Sequence, residues 1–237
     1  MKRALVTGAT SGVGRALVEA LRDEGYLVLA LGRNKAALEE LGRFENVTPV
    51  GVDLADVDAV TATLKGVEVD VLVNNAGLMP PPGPFQDLDP AEIGKAVSLN
   101  VTAQLALTRL VVPGMCTRGS GHVVFTGSIS GHAPYANMAI YCATKAAIGG
   151  FAQALRLDLA DHGVRVTEIV AGRIETALYK DVLSAEARAG MYRPGTTLQP
   201  EDVSRMVVAV LAMPPHVDVS RFDILPARIT PAKEANT

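Results

Sequence analysis

Aromatic side chains make up 4% of the 237 residues, which gives no sign of a pocket built for a large flat ligand. Cysteine is scarcer still. Cys116 and Cys142 fall outside any Cys-x-x-Cys spacing, which argues against a disulfide scaffold or a zinc site and fits a reducing compartment. His122, His162 and His216 show no ligand spacing, so no metal is expected. Charge of one sign is missing too: 22 basic against 25 acidic side chains leave a net charge of −3. Such a balance exerts no global pull toward nucleic acid or anionic membrane, and small molecules are the expected partners. The opening "MKRALVTGAT" is too short an apolar run for a signal peptide. No later stretch reads as the roughly 20 apolar residues of a membrane span. The expectation is a soluble, cytoplasmic protein.

Apolar residues, by contrast, are plentiful at 49%, enough for a substantial core in one domain spanning residues 1–237. Short β-branched or apolar runs recur at 3–7, 26–31, 46–52, 69–74, 122–127, 164–170 and 221–225. Between them, stretches such as "GRALVEALRDEG" repeat apolar residues every three or four positions, the period of a helix with one buried face. Longer helices are expected at about 91–116 and 139–162. The alternation predicts an α/β fold: a single Rossmann-type, doubly wound parallel sheet of about seven strands with helices on both faces. Two segments resist assignment, "LMPPPGPFQDLDP" at 78–90 and the polar stretch at 173–195. Excursions of that length are often binding loops or lids, so 173–195 is expected to be a substrate loop.

The segment "TGATSGVG", residues 7–14, follows the first strand and opens the first helix. Gly8, Gly12 and Gly14 let the backbone turn sharply and approach a ligand. The amides around Thr10, Ser11 and Val13, at the positive end of the helix dipole, attract a pyrophosphate. A lone glycine-rich stretch also suits a plain turn; the strand–loop–helix setting favours a dinucleotide. At the end of the second strand, "LALGRN" puts Gly32 where an acid would select a free 2′-hydroxyl, followed by Arg33. NADP(H) is therefore expected over NAD(H), unless Arg33 is a solvated surface residue. In "VDLAD", Asp53, beside Leu54, either accepts from an adenine amino group or caps the next helix.

In "IYCATK", Tyr141 and Lys145 stand four residues apart, on one face of a helix. A phenol has a pKa of about 10, and a nearby cation lowers it toward the range useful for proton transfer.

These residues together resemble the short-chain dehydrogenase/reductase family over nearly the whole chain. "TGATSGVG" is similar to its TGxxxGxG cofactor loop and "NNAG" at 74–77 to its motif after the fourth strand. Asn100, Ser128, Tyr141 and Lys145 fall in the order and spacing of its catalytic tetrad. Within the family, "GSISGHAPYANMAIYCATK" and the C-terminal segment look most like the NADP-dependent 3-hydroxy acid, serine-type dehydrogenases. The resemblance implies Tyr141 as acid in reduction and base in oxidation, and Ser128 as the hydrogen-bond donor to the carbonyl oxygen. It also implies Lys145 on the nicotinamide ribose and Asn100 holding a relay water. Asn74, Ala76 and Gly77 become cofactor-shell positions. Gly172, Ile174 and Thr176 of "AGRIET" match the segment that holds the carboxamide, with Ala171 in place of the usual proline.

Arg173 either clamps an anionic substrate group, stands exposed, or pairs with Glu175. His132 is a substrate contact or a structural loop histidine. "PPPGP" at 80–84 reads as a stiff pocket wall. The implied activity is NADPH-dependent hydride transfer to a small polar aldehyde, ketone or 3-oxo acid. A 3-oxoacyl thioester reductase and a non-catalytic NADP-binding sensor or scaffold are the alternatives. Apolar excess in "VTAQLALTRLVV" adds a homo-oligomer, a dimer or tetramer.

Overall fold

In the computed structural model, which describes residues 1–180, 182–192 and 195–228, the seven apolar runs are seven strands. They are β1 (Arg3–Thr7), β2 (Leu27–Gly32), β3 (Val47–Gly51), β4 (Val71–Asn74), β5 (Gly121–Thr126), β6 (Val164–Ala171) and β7 (Arg221–Ile224). They form one sheet in the order β3-β2-β1-β4-β5-β6-β7, and every pairing is parallel. The order reverses direction between β1 and β4. A doubly wound sheet binds its ligand in the crevice that this reversal opens at the carboxyl ends of the strands.

Among the described residues there are eight α-helices, α1 (Gly12–Asp23), α2 (Lys35–Leu41), α3 (Val57–Thr63), α4 (Pro90–Val97), α5 (Ala103–Arg118), α6 (Ala139–Leu159), α7 (Ala185–Met191) and α8 (Pro200–Leu211), and all but α7 bury residues. One core layer packs Leu17 and Leu21 of α1 and Val203 and Val207 of α8 on Val6, Val28 and Val124. The other packs Leu107 of α5 and Ile148 and Ala152 of α6 on Leu5, Leu72, Phe125 and Val166. Alternate strand residues thus feed opposite layers, which is why the central strands are apolar throughout rather than alternating. Helix starts follow local chemistry. Asn34, Asp56 and Asp89 each accept a first-turn amide, and Gln199 with Asp202 closes a capping box.

Both longer helices expected from the sequence are present, α6 and one in the middle of the chain, with differences of detail. The middle helix is a continuous run, Pro90–Arg118, in which α4 and α5 are joined by a π-helical stretch at Ser98–Thr102. That run is long and apolar enough, with a mean hydropathy of 1.2 over its best window, to match a membrane span by length and composition; a third of the window is buried. A search for unbroken apolar letters overlooks it because Lys95, Asn100 and Gln104 interrupt the run. The segments at 78–90 and 173–195 are not structureless either. The first carries a 3-10 turn at Phe85–Asp87, the second a 3-10 turn at Ala177–Tyr179 and then α7. Residues 229–237 of the C-terminal tail lie outside the described residues.

Candidate active site

The loop after β1 is shaped by backbone contacts that only glycine permits. Gly8 and Gly12 adopt positive φ, +65° and +50°. A Cβ on Gly12 would lie 3.1 Å from Thr176 Cγ2, so the loop abuts the segment after β6. A Cβ on Gly32 would lie 2.5 Å from Thr10 Cγ2, so the end of β2 leaves no room for an acidic side chain. Ser11 is the N-cap of α1 but its side chain caps nothing, which leaves first-turn amides available to an anion. Thr7 ties the loop to the end of β4: Oγ1 donates to the Val73 carbonyl and accepts from the amides of Asn75 and Ala76. These features fit a dinucleotide pyrophosphate.

The remaining cofactor candidates divide by placement. Arg33 and Asp53 are exposed at the rim and pair with each other at 3.4 Å. Asp53 does not cap α3; Asp56 does. Val13 and Leu54 bury their side chains in the core, so only their backbones can meet a ligand. Asn74 sends its side chain inward, donating to Thr108 Oγ1 at 2.9 Å. Its neighbour Asn75 faces the loop instead, donating to the Thr7 carbonyl and lying against Gly8 and Gly14. Ala76 is buried, its carbonyl accepting from Gln104 Nε2, and Gly77 leaves the room in which Asn100 sits: a Cβ there would lie 3.3 Å from Asn100 Oδ1.

Asn100, Ser128, Tyr141 and Lys145 come together at the carboxyl end of β4 and β5. Tyr141 and Lys145 lie one turn apart on the buried face of α6. Ser128 follows β5, accepts from the Ser130 amide at 3.1 Å and is hydrogen-bonded to Tyr141. Asn100 is in the π-helical stretch, a distortion that recurs at functional sites. Its Oδ1 accepts from the Leu78 amide at 2.8 Å, and its Nδ2 donates to the Leu78 carbonyl at 2.9 Å and to Thr144 Oγ1 at 3.2 Å. Lys145 Nζ donates to the Thr126 carbonyl at 2.7 Å and stands 5.7 Å from the Tyr141 ring centre.

The electrostatics correct one expectation. Burial pushes the Tyr141 phenol well above its ordinary range, Tyr179 adds to the shift, and the Ser128 hydrogen bond only partly opposes it. Burial also lowers the Lys145 ammonium to about 8. Desolvation is the largest cause of both shifts.

Beside Tyr141, a small pocket is walled by Met79, Pro80, Pro81, Leu88 and Met138. The proline run is thus a pocket wall. The segment after β6 bends over the site. Strand β6 continues through Ala171, in register with Ile224. Beyond it, the Gly172 amide donates to the Ile224 carbonyl and Ile174 bridges to Leu198. Thr176 Oγ1 accepts from the Leu178 amide and its carbonyl accepts from the Tyr192 hydroxyl. Arg173 donates to the Met191 carbonyl at 3.4 Å and interacts with Tyr179, whose phenol burial raises and Arg173 lowers. Among the described residues Arg173 makes no ion pair with Glu175, which accepts from Gln199. His132 turns its Nε2 onto Glu168 at 2.9 Å.

A family model described as short chain dehydrogenase matches residues 2–187. The chain is a short-chain dehydrogenase/reductase. This short-chain dehydrogenase/reductase is 43% identical to an uncharacterized short-chain type dehydrogenase/reductase, y4eK, of Sinorhizobium fredii, over 94% of this chain and 90% of that one. It is 35% identical to the NADP-dependent 3-hydroxy acid dehydrogenase YdfG of Salmonella typhi, over 94% of both chains. Among solved structures it resembles the closed form of a serine dehydrogenase complexed with NADP+, with a TM-score of 0.93, 30% identity and 99% of both chains covered. It is an oxidoreductase with NADP-dependent relatives.

Four residues of this short-chain dehydrogenase/reductase site escaped the sequence reading. Thr7 and Asn75 lie inside quoted motifs, and their hydrogen-bonding capacity was the available signal. Tyr179 belongs to an excursion whose path over the site no local pattern reveals. Glu168 offered one signal, an acid in the middle of the strand run Val164–Ala171.

Proposed function

We propose that this enzyme reduces a small carbonyl compound with NADPH, reversibly, using Tyr141 as the acid and base. The observation carrying this reading is the convergence of the Tyr141 and Ser128 hydroxyls and the buried Lys145 ammonium beside the glycine loop. When bound, NADPH supplies the hydride. Ser128 orients the substrate carbonyl and stabilises charge developing on its oxygen, and Tyr141 delivers the proton. A phenol held neutral by burial is in the form that reduction requires. Lys145 holds the nicotinamide ribose, and Asn100, fixed at both ends by Leu78, carries the relay water. The loop from Gly8 through Gly14 takes the pyrophosphate, Arg33 the 2′-phosphate and Asp53 with Leu54 the adenine. Asn75 takes the loop-facing place expected of Asn74, next to Ala76 and Gly77, while Gly172, Ile174 and Thr176 hold the carboxamide.

The substrate we propose is a small 3-oxo or 3-hydroxy acid, in keeping with the named specificity of YdfG. Arg173, facing Tyr179 in the segment after β6, supplies a cation for its acid group. The test is NADPH oxidation against a panel of aldehydes, ketones, 3-oxo acids and an acyl thioester, with NADH alongside. Turnover led by 3-oxo acids supports this reading, turnover confined to the thioester replaces the substrate, and NADPH binding without turnover anywhere leaves a sensor. In the same assay Arg33→Ala is expected to raise the KM for NADPH about ten- to hundred-fold, the worth of one to two charge-assisted hydrogen bonds, and to leave NADH unchanged. An unaltered preference between the two cofactors would sink the Arg33 assignment.

We further propose a homo-oligomer, dimer or tetramer, that works in the cytoplasm. Leu105, Leu110, Val111 and Val112 of the Pro90–Arg118 run are only partly buried within the chain, and Val97 is exposed, which leaves an apolar helix face for a second copy to cover. Light scattering at micromolar concentration is expected to give a multiple of the 24.8 kDa chain mass, and a monomeric mass contradicts the proposal.

A further inference from the structure

Glu168 lies in the middle of β6 on the same sheet face as Val164 and Val166, and it is 1% exposed. A carboxylate buried in that layer is costly unless something compensates it. Oε1 meets His132 Nε2 at 2.9 Å, while Oε2 is buried with no hydrogen-bond partner among the described residues. Two glycines make room for the group. A Cβ on Gly127 would lie 2.6 Å from Oε1, and a Cβ on Gly149 2.9 Å from it. Gly127 immediately precedes Ser128, and Gly149 lies one turn beyond Lys145. The carboxylate is therefore lodged behind the backbone that presents Ser128 and behind the Thr126 carbonyl to which Lys145 donates.

We propose that Glu168, anchored by His132, is a positioning residue that keeps the Lys145 ammonium charged while it is enclosed in the active site. Lys145 is fully desolvated, and Glu168 is the acid whose field opposes that desolvation. The other charged groups around Glu168 are accounted for. On β7, Arg221 is its register partner and pairs with Asp223 at 3.0 Å. Farther along α6, Arg156 pairs with Asp218 at 2.8 Å. From β5 comes Phe125 and from just past its end Gly127, neither titratable, and from the turn after Ser128 comes His132.

The sign follows directly. Removing the negative charge makes the ammonium easier to deprotonate, so activity that needs charged Lys145 disappears at a lower pH. The inference rests on the role given to Lys145 above, and the experiment separates the two. The profile of kcat/KM for NADPH against pH is measured for the wild type, Glu168→Gln, Glu168→Asp and Lys145→Met. In Glu168→Gln the alkaline limb is expected to begin about one pH unit lower, a roughly tenfold loss on that limb, with the plateau below it retained. Glu168→Asp, which keeps the charge, is expected to return the limb toward the wild-type position.

If Glu168→Gln does not accumulate as soluble protein, Glu168→Met fills the same space without a polar atom and carries the same expectation. Superimposable limbs overturn the proposal, and so does a loss equal at every pH, the mark of a purely structural residue. If Lys145→Met retains wild-type activity, the role of Lys145 itself is wrong. An inactive Lys145→Met beside an unshifted Glu168→Gln defeats this inference alone.

Discussion

Tyr141→Phe is expected to lower kcat by about 10²- to 10⁴-fold, the usual contribution of a positioned proton donor, while stability changes by no more than about 1 kcal/mol. The two parts of this expectation come from different features of one side chain. The ring is 8% exposed and packed at the start of α6, and phenylalanine reproduces its volume. The hydroxyl contributes its hydrogen bond with Ser128 and the transferable proton. Because burial holds the phenol neutral, the proton is present at every ordinary pH, and reduction is expected to show no alkaline limb from Tyr141 itself. Oxidation of the alcohol needs the opposite form, which burial disfavours, so the reverse rate is expected to climb as the medium becomes more alkaline. Stopped-flow measurement of NADPH oxidation, with a separate titration of NADPH binding, checks both parts. A variant that binds NADPH as the wild type does and turns over within about tenfold of it removes Tyr141 from the acid's role.

The unequal legibility of fold and site has a physical origin. Strands β1 to β7 were readable because a parallel sheet covered on both faces requires near-continuous apolar runs, and each run was bounded by a helix of regular period. The glycine loop was readable because its demand is local: positive φ at Gly8 and Gly12 is a property of a few consecutive residues. Contacts across the sheet were not readable in this way. Nothing near Asn74 states that its side chain points to Thr108 while that of Asn75 points to Gly8 and Gly14, although strand alternation separates the two. His132 and Glu168 are 36 residues apart and meet only because β6 lies beside β5. The Tyr141 shift was misjudged for a related reason. The spacing to Lys145 is visible in the sequence, whereas the depth at which α6 seats both groups depends on the whole packed layer, and depth decides the sign.

Gly14→Ala is the second large effect, and it sets two principles against each other. Gly14 is in the first turn of α1, and its φ is not left-handed. By helix propensity alone, alanine there should stabilise the protein by about 1 kcal/mol. Packing opposes this far more strongly, since the added Cβ would lie 2.1 Å from the Gly8 carbonyl oxygen and 2.7 Å from Asn75 Nδ2. The oxygen cannot retreat cheaply. Gly8 is already at positive φ, and the adjoining Thr7 is held by Val73, Asn75 and Ala76. Overpacking against fixed backbone costs about 3 kcal/mol or more, so the net result is a clear loss of stability. Gly150→Ala supplies the contrast. It is also helical, in α6, but has nothing within 4 Å of the added Cβ, so propensity acts unopposed and a gain of up to about 1 kcal/mol is expected. Urea unfolding of the two variants beside the wild type reads both signs. NADPH binding by Gly14→Ala should weaken as well, because relieving the clash moves Gly8 and, with it, the amides that face the pyrophosphate. A Gly14→Ala protein as stable and as tightly binding as the wild type means that α1 does not approach the end of β1 this closely, and the cofactor cradle described here is then wrong at its centre.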